Sequence, residues 1–268
     1  MFAYDGEDQL NNLIASEFSK GTACFLLRSG KKSIESIINL ADTDTSYHIS
    51  SFDITEGLIL IKMPSLIHCA AAHEINYLIL QKLQPMKLDK AIRGYPGASI
   101  RGEESSRGKE PDYSWCPVRR PRSSAHPRMK MPSVALEVAV SENDKKLNAD
   151  VRYLLSPEDG NAELCLTLRV DKVNNNIRLE SWARQDANND QQRSHIHRTQ
   201  VVYARITQDG RAIVTGDLPF RIPFESLMLR PTDPGTAAEQ DILFSQNDLE
   251  ELSEKIWNAD DVAEDEEE

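Results

Sequence analysis

The chain has 268 residues and a formal net charge of −12. This length is sufficient for one substantial α/β or α+β core with tails. The negative charge is concentrated after residue 230, where fourteen Asp and Glu residues accompany a single lysine, so the first 230 residues carry a net charge near +1. The overall acidity therefore does not exclude a nucleic-acid partner for the main part of the chain.

The cysteines and the chain start indicate the compartment. The four cysteines are far apart and form no Cys-x-x-Cys pair, which argues against a zinc ribbon and against a disulfide framework. The first residues are acidic and contain no secretory signal pattern, and no apolar run approaches the length that crosses a bilayer. We therefore expect an intracellular protein, nuclear or cytoplasmic, without a membrane partner.

The first third of the chain predicts helices around a hairpin. Apolar spacing predicts an N-terminal helix within residues 9–28, although the run 23–27 suits a strand equally well. Residues 47–63 contain two strand-like runs around a central turn, which predicts a β-hairpin. Ser65 is a suitable N-cap for a helix over residues 66–83.

One acidic side chain of the predicted 66–83 helix is a candidate site residue. Glu74 shares a helix face with Ile67 and Leu78, so we expect it to point inward or toward a cleft, where it would support a catalytic metal. The alternative is a core acid with an internal partner. His68 and His73 are five residues apart, a spacing that does not match a helical metal-binding pair, and we interpret them as ordinary surface or cleft histidines.

Two further acidic residues suggest chemistry. Asp112 directly follows Pro111, and Glu137 lies within the apolar, strand-like run 133–140, where a charge is costly unless something binds it. Two carboxylates on neighbouring strands, with a main-chain carbonyl between them, form an all-oxygen pocket suited to Mg²⁺. The alternative is that Asp112 caps a turn and Glu137 is a sheet-rim residue paired to a nearby arginine.

A basic, proline-containing loop at residues 118–131 separates these two acids. Such a loop can hold a phosphate backbone through salt-dependent contacts, although many basic loops are only solvated. The candidate phosphate-binding residues are Arg119, Arg120, Arg122, Arg128 and Lys130.

The remaining chain predicts one helix, several strands and a terminal helix. A capped helix is predicted over residues 141–155, with Lys146 beside its buried stripe and Lys145 pointing away. Strands are predicted at 163–170, 176–184, 200–206 and 211–214, with a polar excursion at 185–197 and an edge piece at 218–230. An amphipathic helix at 245–257 precedes the acidic end 260–268, for which we expect disorder.

The order of these features resembles the PD-(D/E)XK nuclease superfamily, with its restriction-endonuclease-like fold. Within it, the chain is similar to Uma-type restriction endonucleases and to uncharacterised fungal relatives. The resemblance covers residues 47–170, with weaker support from 220–230. It rests on the Met-Pro-Ser-x-x-His segment at 63–68, on Pro111-Asp112 within Glu-Pro-Asp-x-Ser-Trp, and on the Glu137 strand followed by Ser-Glu and a helix.

The resemblance implies a metal site and a catalytic lysine. Asp112 and Glu137 would bind Mg²⁺ or Mn²⁺, and the carbonyl of Val138 would complete the ligand set. The family also uses a lysine two residues after the Glu to stabilise developing negative charge, but this chain has Ala139 there. We expect Lys146 of the following helix to supply this charge.

We expect a Mg²⁺-dependent phosphodiesterase or endonuclease acting on DNA, with Asp112, Glu137, Lys146 and Glu74 in catalytic roles. Its fold would be α/β, of the α+β kind, with a central mixed sheet flanked by helices. Residues 1–46 would form an extension, 47–230 the nuclease-like domain, and 231–268 an acidic segment with one amphipathic helix. A homodimer, or a protein partner for the acidic tail, is a further expectation.

Two rival interpretations remain open. A catalytically degenerate nuclease fold would serve as a nucleic-acid or protein interaction module, and the missing lysine at position 139 favours this reading. An unrelated α+β scaffold without an active site would require the order of the motifs to be a coincidence.

Overall fold

The computed structural model describes residues 1–22, 24–41, 48–63, 65–102, 105–119, 131–140, 144–185, 195–233, 235 and 238–259. Over these residues the protein is α+β with mixed sheets, as the sequence predicts. Two large sheets and one two-stranded sheet form its architecture.

The described residues contain six α-helices among fifteen strands. The strands are β1 (Phe2–Ala3), β2 (Cys24–Arg28), β3 (His48–Asp53), β4 (Leu58–Lys62), β5 (Ile92–Pro96), β6 (Ile100–Arg101), β7 (Arg107–Lys109), β8 (Tyr113–Pro117), β9 (Val134–Val140), β10 (Leu164–Asp171), β11 (Asn176–Gln185), β12 (His195–Ile206), β13 (Ala212–Gly216), β14 (Phe220–Ile222) and β15 (Ile242–Phe244). The helices are α1 (Glu7–Ser19), α2 (Lys31–Ala41), α3 (Leu66–Leu83), α4 (Asp144–Leu155), α5 (Phe224–Met228) and α6 (Gln246–Trp257), with a 3-10 turn at Gln84–Met86. Strands β5 to β9 and strands β10 to β14 follow one another without an intervening α-helix.

The first large sheet has the strand order β1-β2-β4-β3-β7-β6. Helices α1 and α2 contribute Leu10 and Ile34 to its hydrophobic core. Strands β4 and β7 both run antiparallel to β3. Their last residues, Lys62 and Lys109, therefore lie at the same end of this sheet, and both extend toward the second sheet.

The second large sheet has the strand order β13-β12-β11-β10-β9-β8-β5. Its pairings are antiparallel except for β9 and β10, which are parallel and joined through α4. Helices α3 and α6 pack with side chains such as Val138 on one face, and α4 packs with Ala135 on the other. Strand β9 is buried on both faces, which explains its nearly continuous apolar sequence.

Capping residues in the sequence explain where α3 and α6, the two helices on the Val138 face of the second sheet, begin. The Ser65 hydroxyl accepts a hydrogen bond from the His68 N–H at the start of α3, and the helix covers the predicted residues. Ser245 and Asp248 form a capping box at the start of α6. Both predictions are confirmed.

Other local predictions need correction. The ambiguous run 23–27 is strand rather than helix where it is described, and α2 was not predicted. Residues 218–230 were predicted as an edge piece of the main sheet. Strand β14 of this segment pairs instead with β15 in a separate two-stranded sheet. Strands β11 and β12 extend into the predicted polar excursion, and residues 186–194 lie outside the described residues.

The acidic C-terminal segment contributes to the main core. Helix α6 packs on α3 and β13, and its Leu249, Leu252 and Ile256 belong to the same hydrophobic cluster as β9. The acidic end 260–268 lies outside the described residues. No helix within the described ranges is both long and apolar enough to cross a membrane.

Candidate functional site

Asp112 is the centre of a buried polar cluster. It follows Pro111 at the start of β8, and its side chain is 8% exposed. Its Oδ1 and Oδ2 lie 3.1 and 3.0 Å from the Lys62 Nζ. His68 Nε2 lies 3.0 Å from Oδ2, which also accepts a hydrogen bond of 2.6 Å from the Val138 N–H. The carboxylate is thus bound by groups from β4, α3 and β9.

Lys62 connects the first sheet to this cluster. Its ammonium also donates to the Val138 carbonyl oxygen at 2.9 Å, and the residue is 5% exposed. Both carboxylate oxygens of Asp112 and the carbonyl oxygen of Val138 therefore surround one cation. The three acceptors match in number the three N–H donors of an ammonium group.

The electrostatics of the cluster favour the ionised Asp112. Burial by itself would raise the pKa of this carboxyl. The charge of Lys62, the contact with His68 and the hydrogen bond from the Val138 N–H outweigh burial and hold the pKa well below its usual range. Asp112 is therefore a carboxylate at every physiological pH.

A cavity of about 430 Å³ opens beside Asp112. Its wall combines apolar side chains with polar groups from both sheets and from α3. The polar lining includes His48, Lys62, His68, His73, Glu110 and Asp112. A small anionic or polar group entering this cavity would meet Lys62 and Asp112 together.

Glu137 has a different set of neighbours. It lies in the middle of β9, 2% exposed, and its Oε2 is 3.1 Å from the Nζ of Lys109. The same Nζ is 3.2 Å from Asp150 Oδ1 of α4, and Asp150 Oδ2 is 3.1 Å from the Nζ of Lys146. Glu137 thus faces the α4 side, whereas the side-chain contacts of Asp112 run to Lys62 and α3.

Burial dominates the protonation of Glu137. Desolvation, with smaller contributions from the charges of Asp112 and Asp150, outweighs the opposing charge of Lys109 and raises the pKa of its carboxyl to about 8. Its Oε1 has no hydrogen-bond partner among the described residues. Burial therefore favours the protonated form of Glu137 near neutral pH.

This protonation predicts a pH dependence of stability. Between the ordinary value of 4.5 and about 8, folded Glu137 holds a proton that the unfolded chain has released. Its contribution to the free energy of unfolding therefore falls as pH rises through this window. Glu137→Gln should gain stability relative to the wild type as pH increases, measured by urea unfolding in metal-free buffer. If the difference in free energy of unfolding between Glu137→Gln and the wild type stays constant with pH, Glu137 is ionised in the folded protein.

The two acids that were expected to share one ion each have their own lysine. Among the described residues, no three His, Cys, Asp or Glu side chains are grouped to hold a metal. Ala139 is buried, and its cross-strand neighbour on β10 is Arg169. Lys146 reaches Asp150 rather than Asp112 in the contacts described, and Lys145 is exposed on α4.

Of the remaining candidate residues, the structure describes Glu74 and Arg119. Glu74 Oε2 is 3.5 Å from the Nζ of Lys255, so this acid turns to α6 instead of the expected cleft. Arg119 is exposed at the beginning of the basic loop. The other predicted phosphate contacts lie outside the described residues: Arg120, Arg122, Arg128 and Lys130.

Sequence reasoning missed three residues of these clusters. Lys62 ends an apolar strand, and a lysine in that position needs an acidic partner if it is buried. Lys109 could have been considered as well, because it lies three residues before Asp112 in the sequence. His68 received no role, although its position in the first turn of α3 directs it toward the Asp112 cluster.

Comparisons with known proteins do not assign the chain to a family. No family model matches it, and no curated protein matches it significantly. The geometry of the described residues therefore carries the functional argument.

Proposed function

We propose that this protein is a Mg²⁺-dependent phosphodiesterase with a restriction-endonuclease-like fold, acting on DNA. The observation that carries the proposal is the convergence of both Asp112 carboxylate oxygens and the Val138 carbonyl oxygen on one cation. Carboxylate and carbonyl oxygens are the ligands that Mg²⁺ prefers. The elements α3, β8, β9, α4 and β10 follow one another along the chain in the order that the resemblance to the nuclease superfamily implies. This order supports the proposed restriction-endonuclease-like fold.

The donor set at Asp112 fits a divalent ion in chemistry and in charge. Oxygens that lie about 3 Å from an ammonium would approach Mg²⁺ to about 2.1 Å. Glu137 would join only after losing its proton and loosening its contact with Lys109. A bound Mg²⁺ would polarise a phosphoryl oxygen and lower the pKa of a bound water.

The surrounding residues have defined roles in this proposal. His68 and the Val138 N–H hold the Asp112 carboxylate in one orientation. The cavity beside Asp112 receives the phosphate group, with the side chains of His48 and His73 on its wall. Lys62 contacts Asp112 and Val138 directly, and it replaces Lys146 as the candidate for the positive charge that Ala139 lacks.

A second candidate function is a nuclease fold that binds without cleaving. The observation that favours it is the lysine beside each acid, Lys62 at Asp112 and Lys109 at Glu137. A lysine ammonium in place of a metal would preserve the shape of the site but would not activate water. In that case the protein is a nucleic-acid or protein interaction module.

A cleavage assay separates these candidates. The full chain is treated with a chelator and then supplied with Mg²⁺ or Mn²⁺ in the presence of single-stranded DNA, double-stranded DNA or RNA of one length. The proposal expects metal-dependent cleavage of DNA that is lost in an Asp112→Asn preparation purified in parallel. Nucleic-acid binding without cleavage under any metal would replace the proposal with the interaction module.

A further inference from the structure

Lys62 occupies the position between the oxygens of the proposed metal site. Its Nζ lies 2.9 Å from the Val138 carbonyl oxygen and 3.0 and 3.1 Å from the two Asp112 oxygens. The side chain comes from β4 of the first sheet, whereas Val138 belongs to β9 of the second sheet and Asp112 directly precedes β8 of that sheet. The first sheet therefore supplies a cation to the site of the second.

We infer that Lys62 is an internal competitor for the divalent cation, so that metal binds at Asp112 only when this ammonium leaves. The inference rests on the proposed metal site and deepens it by naming what controls its occupancy. Two cations cannot share the same three oxygens, because a divalent ion and an ammonium about 3 Å apart repel each other strongly in a buried environment. Metal affinity is then reduced by the strength of the Lys62 ion pair.

The structure provides a place for the displaced ammonium. Lys62 lines the cavity of about 430 Å³ beside Asp112, and a lysine side chain has four rotatable bonds with which to turn into it. Glu110 lines the same cavity. A displaced Lys62 stays next to the position where a phosphate would bind, so its charge remains available to the substrate.

Metal affinity without any substrate tests the inference. Calorimetric titration with Mn²⁺ compares the wild type with Lys62→Met, which keeps the length of the side chain but removes its charge. Loss of the competitor should tighten Mn²⁺ binding by about tenfold or more, because the released oxygens no longer belong to a buried ion pair. Lys82→Met is the matched control, since Lys82 is an ion-paired lysine at a distant position, bound to Asp248, and its loss should leave Mn²⁺ affinity unchanged.

A second variant and a second measurement guard against a folding defect. Lys62→Gln keeps a hydrogen-bond donor for Asp112, and the rise in melting temperature on adding Mn²⁺ should exceed that of the wild type. In the wild type labelled with ¹⁵N-lysine, Mg²⁺ should shift the Lys62 Nζ resonance, identified by its absence in Lys62→Gln.

The outcomes separate this inference from the proposed function. Tighter Mn²⁺ binding by the Lys62 variants without any cleavage would retain the inference and remove the phosphodiesterase. Unchanged or weaker Mn²⁺ binding by both variants, or no Mn²⁺ binding by any form of the protein, would overturn the inference. An unmoved Lys62 resonance at saturating Mg²⁺ would overturn it as well.

Discussion

Asp112→Asn should lower metal-dependent cleavage by about a thousandfold or more. A catalytic metal contributes several kcal/mol of transition-state stabilisation, and each 1.36 kcal/mol corresponds to about a factor of ten in rate. The substitution keeps the size of the side chain and an oxygen that can accept from the Val138 N–H, but it removes the charge that holds the cation. The measurement is the initial rate of DNA cleavage at saturating Mg²⁺.

The control for this variant is Asp209→Asn. Asp209 is an exposed acid in the turn before β13, and its carboxylate accepts a hydrogen bond from the Thr207 hydroxyl. It should cleave DNA at the wild-type rate. Circular dichroism of Asp112→Asn checks that the loss of activity is not a loss of folding, because Lys62 loses its counter-charge. Equal rates for Asp112→Asn and the wild type would place the catalytic centre elsewhere or expose a contaminating nuclease.

Lys109→Met should lower the free energy of unfolding by about 3 kcal/mol, the lower end of the range for breaking a buried ion pair. Lys109 is 1% exposed and faces the carboxyls of Glu137 and Asp150. The methionine fills a similar volume but leaves these two acids without their shared cation. The loss stays at the lower end because Glu137 can keep its proton and Asp150 retains Lys146.

Urea unfolding at neutral pH measures this loss. Lys145→Met removes an exposed lysine from α4 and should change stability by no more than about 0.5 kcal/mol. Adding Glu137→Gln to Lys109→Met should recover part of the loss, because the double variant no longer buries an acid that lacks a partner. A loss for Lys109→Met below about 1 kcal/mol would contradict an ionic role for this lysine.

Local patterns in the sequence predicted the elements that carry the site. The Ser65 cap and the apolar face of residues 66–83 predicted α3, and the apolar run around Glu137 predicted β9. The hairpin of β3 and β4 followed from two apolar runs around a turn. The helical or extended conformation of each element is reflected in the spacing of apolar residues along a short stretch of chain, which a sequence pattern records directly.

Sequence patterns were sufficient to predict an α+β fold with Asp112 directly before one strand and Glu137 within another. The cations that these acids contact could not be predicted in the same way, because the contacts form between distant parts of the chain. Lys62 lies 50 residues before Asp112 and 76 before Val138, and its position depends on how two separate sheets pack. No sequence spacing encodes a contact between strands of different sheets. Glu74 was misplaced for the same reason, because its partner Lys255 reaches α3 only when α6 packs against that helix.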